Sequence, residues 1–144
     1  MGFVKITEND LKKGLIVEPA WYRVHIEGME ERTSSKGTSQ NHFPTGKILF
    51  NADTGDTRFA GVETPKGWCF NEGAPAFTIP FLVATGTNEA ELMKAIKEAG
   101  DQGIRLDMDS AVGKDLDIFI ENGVYEGRTQ NKINHKYRAP KVKA

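Results

Sequence analysis

Residues 15–29, LIVEPAWYRVHIEGM, place Tyr22, Val24 and Ile26 on one side of an extended chain and Trp21, Arg23 and His25 on the other. A period of two is the mark of a β-strand with one buried face. Two later stretches repeat it. In KDLDIFIEN (114–122), Leu116, Ile118 and Ile120 alternate with Asp117, Phe119 and Glu121. In TQNKINHKYR (129–138), Ile133, His135 and Tyr137 alternate with Lys132, Asn134, Lys136 and Arg138. The short GVYEG (123–127) between them joins the two strands.

The intervening chain fills in the order. EERTSSKGTS (30–39) is a loop by composition, and QNHFPTGKILFN (40–51) is a second extended region whose Pro44 and Gly46 predict a bulge or an edge. ADTGDT (52–57) turns the chain, and RFAGVE (58–63) resumes as a third strand. GAPAFTIPFLVATG (73–86) is apolar and ambiguous, whereas NEAELMKAIKEAG (88–100) is a short helix. Asn88 caps that helix with Glu91 three residues on, Leu92, Ala95 and Ile96 form its apolar stripe, and Gly100 ends it. Thr7 with Asp10 can start one helical turn in the polar lead-in 1–14, with Gly14 as its stop. Three strands, a helical segment and two strands, with a long loop after the first strand, predict a mainly β chain. The expected architecture is a five-stranded OB-type Greek-key barrel, a single domain over 1–144 with a basic tail at 139–144.

At 144 residues the chain is long enough for one self-sufficient core, and its 15 dispersed glycines suit many turns between short strands. Cys69 is the sole cysteine, which excludes an intramolecular disulfide and fits a reducing compartment. MGFVKITENDLKKG lacks the apolar run of a signal peptide, and Ile6 stands where a myristoylation motif needs Ser or Thr. GAPAFTIPFLVATG is too short to span a bilayer. These features predict a soluble, cytoplasmic protein with no membrane partner. Charge is uneven: from Arg128 onward there are six basic and no acidic residues, while residues 1–127 carry 13 basic against 20 acidic. Such asymmetry is either a solubility device or the footprint of a polyanion.

Catalytic chemistry finds little support. His25, His42 and His135 lack ligand spacing, and Cys69 beside Trp68 lacks a nucleophile's local signature. Asp107 and Asp109, with Asp115 and Asp117, offer alternating carboxylates that can hold Mg²⁺, but they fit a turn and the solvent face of a strand better. AVGKD (111–115) lacks the earlier glycine of a phosphate loop. The expectation is a non-enzyme without metal or cofactor. A single-stranded nucleic-acid site needs flat side chains for bases and cations along the phosphates. Trp21 and Arg23 lie outward on strand one, where Trp21 is either covered by the lead-in or used as a platform. Lys132, Asn134, Lys136 and Arg138 extend over about 20 Å, enough for roughly three phosphates, or serve as a solvated edge guarded by lysines. Arg32 and Lys36 follow strand one, Tyr125 and Arg128 lie between the last strands, and at least one of Trp68 and Phe70 belongs in the core.

Two segments, GLIVEPAWYRVHIEGMEERTSSKG (14–37) and AVGKDLDIFIENGVYEGRTQNKINHKYRAPK (111–141), resemble a family of small bacteriophage single-stranded DNA-binding proteins of OB fold. They cover about 55 of the 144 residues, through a strand with a Lys-Gly-tipped hairpin and a Y-x-G-x-x-x-N-x-I hairpin leading to a basic strand. The resemblance implies coating of single-stranded DNA in phage replication, recombination or repair, with low sequence preference and without cofactor or turnover. It also implies the host cytoplasm as location and replication or recombination proteins as partners. Many proteins of this class end in an acidic, partner-recruiting tail, whereas RAPKVKA (138–144) is basic. Residues and resemblance together assign Trp21, Trp68 and Tyr125 to stacking. Arg23, Lys36, Arg128, Lys132, Lys136 and Arg138 are assigned to phosphates, and Asn131 and Asn134 to hydrogen bonding. Two other classes stand beside this one: a phage structural or adaptor protein using strand edges and Trp21, and an enzyme with a carboxylate-bound ion.

Overall fold

The structure, a computed structural model, describes residues 2–7, 17–33, 37, 40–71 and 75–140. Its elements are β1 (Ala20–Thr33), β2 (Gln40–Asn51), β3 (Phe70–Asn71), α1 (Pro75–Ala84), α2 (Glu89–Ala99), β4 (Asp115–Tyr125) and β5 (Arg128–Arg138), with 3-10 turns at Gly100–Gln102 and Met108–Ala111. The strands form one antiparallel sheet in the order β3-β2-β1-β4-β5. β3 and β5 are its two edges, so the sheet is open rather than closed into a barrel.

The alternation of β1 behaves as its sequence dictates. Tyr22, Val24 and Ile26 are buried, while Trp21, Arg23 and His25 look out from the opposite face. β1 also continues past Glu30 and pairs Glu30 with Phe43 through to Thr33 with Gln40, so the first four residues of the loop expected at 30–39 are strand. Opposite Gly46 and Thr45 the register slips between Ile26 and Gly28. A Cβ on Gly46 would lie 2.1 Å from the His25 carbonyl oxygen, so only glycine lets the two backbones approach there. The β4–β5 hairpin is tighter than its five-residue linker suggested. Tyr125 pairs with Arg128 around Glu126 and Gly127, both at positive φ (50° and 76°), the backbone of a two-residue primed turn.

The third strand is displaced from its expected position. Residues 58–61 turn, with Gly61 at φ 85°, and only Glu63 forms a bridge, to Lys47. Backbone bonds from Gly61 and Thr64 to Ile48 and Gly46 still hold this segment along β2. The strand proper is Phe70–Asn71, where Phe70 drops its ring into the core. The ambiguous apolar run becomes α1. Its Pro80 cannot donate to the carbonyl of Ala76, and because Ala76 is exposed that carbonyl can turn to water. α2 follows the sequence closely: Asn88 accepts from the Glu91 N–H at 3.0 Å, and Gly100 terminates it.

α1 contacts both β5 and β3, so it lies over the opening between the two edge strands. Sheet residues Val24, Ile26, Ile48, Leu116, Ile118 and Ile120 meet Trp68, Phe70, Phe81 and Leu82 in the core. Phe70 and Phe81 stack at 4.6 Å, and Trp68 meets Phe81 edge-on at 5.6 Å. The Trp68 indole N–H donates to the Tyr137 hydroxyl at 2.9 Å, tying the 65–70 segment to β5. The same Tyr137 hydroxyl lies 2.7 Å from His135 Nδ1, which extends the contact along β5. Among the described residues no helix is long and apolar enough to cross a membrane.

Candidate nucleic-acid interface

Strand pairing brings distant outward residues to one face. Trp21 lies opposite Phe119, Arg23 opposite both Phe50 and Asp117, and Asp117 opposite Arg138. Trp21 meets Phe119 edge-on at 5.7 Å, and the Arg138 guanidinium lies over the Trp21 ring at 4.0 Å. Arg23 sits over Phe50 at 5.2 Å, and further along the same hairpin Arg32 sits over Phe43 at 4.6 Å. Guanidinium stacked on an aromatic face is a cation–π contact of about 0.5–2 kcal/mol. Trp21 of β1 and Arg138 of β5 therefore share a surface.

That surface is close to electrically balanced. Asp117, 2 % exposed, accepts from Arg23 Nε at one oxygen and lies 3.6 Å from Arg138 Nη2 at the other. Arg138 also reaches Asp53 at 3.1 Å. Its buried Nε meets no acceptor among the described residues, so stacking and the Nη2 contacts hold this guanidinium. His25 Nδ1 lies 2.6 Å from Asp115, Lys47 lies 3.8 Å from Glu27, and Lys132 lies 3.4 Å from Glu121. Of the four cations of β5, Arg128 and Lys136 make no ion pair among the described residues and are exposed, which leaves their charge to spare.

The assigned residues are thus sorted by the fold. Trp21, Arg23 and Arg138 come together with Phe50 and Phe119. Trp68 is sealed in the core at 1 % exposure, where no base can stack on it. Its ring is the largest apolar side chain of the 65–70 segment and fills the space between α1 and β5. Asn131 is occupied by structure: its amide accepts from the Val17 N–H at 3.0 Å, and its NH₂ donates to the Val17 carbonyl at 3.1 Å and to Asn122 at 2.9 Å. Asn134 donates to Glu121 at 3.3 Å. Lys36 and the side chain of Tyr125 lie outside the described residues.

Four residues that shape this face were not assigned from sequence. Phe119 was legible, since the alternation of β4 puts it outward beside Asp117. Phe50, Asp53 and the carboxylate role of Asp117 were not, because each depends on which strand lies next to which. The carboxylates considered for an ion also separate. Asp117 and Asp115 are bound to Arg23 and His25, and Asp107 accepts from the Asp109 N–H to cap a 3-10 turn. Among the described residues no three or more His, Cys, Asp or Glu side chains cluster as a metal-binding group. Comparison of the chain with protein-family models, with curated proteins and with solved structures finds no match in any of the three.

Proposed function

We propose that the protein binds single-stranded nucleic acid, DNA by the family resemblance, across the outer face of β1, β4 and β5 with little sequence preference. The observation that carries this is the convergence of Trp21, Phe50 and Phe119 with Arg23 and Arg138 on one face, contributed by four strands. Every base has a π-face, so such a surface accepts any sequence, and stacking contributes about 1–3 kcal/mol per base. A base reaching Trp21 either takes the ring face opposite Arg138 or displaces the guanidinium, which then becomes available to a phosphate. The balanced charge makes stacking the main source of affinity and the basic strand a secondary one.

The fold belongs to the same proposal. β4 lies beside β1, which is followed in space by β2 and β3, and this 4-1-2-3 order supports a Greek-key reading. OB barrels are five-stranded, Greek-key and partly open. In that reading the β3–β5 seam is spanned by α1 and by the rings of Trp68, Phe70 and Tyr137 instead of by backbone pairing. Replication and recombination proteins as further partners rest on the resemblance alone.

The test is a titration with a labelled single-stranded oligonucleotide, competed by duplex, at two salt concentrations. Two unpaired cations, Arg128 and Lys136, imply a slope of log K against log salt of about −1.4. Release of Arg23 and Arg138 to phosphates steepens it toward about −3. Trp21→Ala should weaken binding by about 1–3 kcal/mol. A folded Trp21→Ala protein that binds as tightly as the parent removes the platform from the proposal.

A further inference from the structure

We infer that Arg138 is a movable cover on Trp21. A base that stacks on Trp21 takes the ring face the guanidinium occupies, and the freed Arg138 exchanges Asp53 for a phosphate of the same strand. This rests on the nucleic-acid reading of the outer face and adds the step by which that face opens. In the free protein the Arg138 guanidinium lies 4.0 Å from the centre of the Trp21 ring, so the indole is closed on that side.

Three contacts hold the cover, and each is of a kind that yields. Arg138 Nη2 reaches Asp53 at 3.1 Å, but the Asp53 side chain is 54 % exposed in the turn after β2, where an ion pair gains little over hydration. The second carboxylate, Asp117, is 3.6 Å away and already accepts from Arg23. The cation–π contact is one that a stacked base replaces, since either occupies the same π-face. Against these contacts stands Arg138 Nε, which is buried and has no acceptor among the described residues. A buried donor without an acceptor is destabilising, and release into water or onto a phosphate satisfies it.

Charge also selects Arg138 as the group that moves. Around Trp21 the carboxylates of Asp53 and Asp117 balance the guanidinium groups of Arg23 and Arg138. A phosphate beside a stacked base adds one negative charge and needs a cation. Arg23 cannot supply it without stranding Asp117, a carboxylate only 2 % exposed. Arg138 leaves behind Asp53, which water can hydrate, and it is the last residue of β5. A base on the opposite ring face would gain stacking but leave Arg138 paired to Asp53. The ligand that opens the face is therefore a nucleotide unit, base and phosphate together.

NMR of the Arg138 side chain tests this during addition of oligothymidylate. In the free protein the Nε–H proton should lie upfield under the Trp21 ring, its signal assigned by its loss in Arg138→Gln. Saturation with oligothymidylate should return it to the position of an unstacked arginine. Asp53→Asn removes the exposed partner and should tighten binding by up to about five-fold, the upper value of an exposed ion pair read as an affinity ratio. That gain should vanish in the Arg138→Gln background, because it acts through the guanidinium. Arg138→Gln alone should flatten the slope of log K against log salt by about 0.7, one phosphate contact. Near-ultraviolet circular dichroism from Trp68 and Tyr137 reports the core of each variant. If Arg138→Gln loses that signal, Arg138→Met, which keeps an unbranched stem on Trp21, takes its place. A signal that is not upfield in the free protein or stays upfield in the complex would overturn the cover. So would an Asp53→Asn gain that survives without the guanidinium, or an unchanged salt slope in Arg138→Gln. A parent that does not bind oligothymidylate at all would remove the nucleic-acid reading, and the exchange with it.

Discussion

Replacing Asp117 with asparagine keeps the side-chain shape and removes one negative charge from beneath the outer face. The carboxylate is almost fully buried, and it holds Arg23 and lies within 3.6 Å of Arg138. Breaking a fully buried pair costs about 3–5 kcal/mol. Here the Arg23 and Arg138 side chains are 16 % and 34 % exposed, and Arg138 keeps Asp53 at 3.1 Å. Water and the second carboxylate soften the loss, so we expect about 2 kcal/mol, or roughly 4–8 °C in Tm for a chain of this size. Urea unfolding followed by tryptophan fluorescence measures it. A double-mutant cycle with Arg23→Gln isolates the pair, and coupling should exceed about 1 kcal/mol. The same substitution frees two guanidinium groups for phosphate, so the salt slope of oligonucleotide binding should steepen by up to about 1.4. An Asp117→Asn protein with unchanged midpoint, no coupling to Arg23 and an unchanged salt slope would refute both the electrostatic account of this face and its link to binding.

Gly46→Ala should be among the most damaging single-methyl additions, because the new Cβ would meet the His25 carbonyl oxygen at 2.1 Å; a loss of about 2–4 kcal/mol in denaturant unfolding is expected. Burial lowers the pKa of His135 below its ordinary 6.5, so the folded state favours neutral imidazole. The associated stability is present above about pH 6.5 and is lost as pH falls through the folded value, and His135→Gln should flatten that part of a Tm-against-pH curve. Trp68→Phe keeps an aromatic ring but leaves the Tyr137 hydroxyl without its indole donor, and should cost about 1–3 kcal/mol by calorimetry with no direct effect on oligonucleotide contacts. Asn131→Ala removes both bonds that hold Val17, and should cost about 1–2 kcal/mol while leaving the salt slope of binding in place.

Some tertiary outcomes could be traced to particular residues in advance. The Asn88 cap and Gly100 stop of α2, the limits of β2 and the apolar face of β1 and β4 are local properties, and the structure carries them as read, whereas Asp117, expected on the solvent face of β4, is buried beside Arg23 and Arg138. The third strand was not legible because RFAGVE has strand composition yet Gly61 takes a positive φ, and because a two-residue strand at Phe70–Asn71 leaves no periodic signal. α1 was ambiguous since an apolar run carrying Pro75 and Pro80 has neither helical nor strand period. Trp68 and Trp21 look alike in sequence, each flanked by one small and one larger residue. The difference is that α1 closes over Trp68 while Trp21 faces away from that helix.

From the sequence alone came which side of each long strand is apolar and which carries Trp21, Arg23, Phe119 and Arg138. The pleat forces successive side chains to opposite faces, whatever lies beside the strand. Only the tertiary structure decided that Arg23 meets Asp117, ninety-four positions away, and that Arg138 covers Trp21. Those contacts depend on strand order and register, which are set by the global packing of the core rather than by any local run of residues. They turn a basic strand that looked open to phosphates into one whose Arg138 is already engaged.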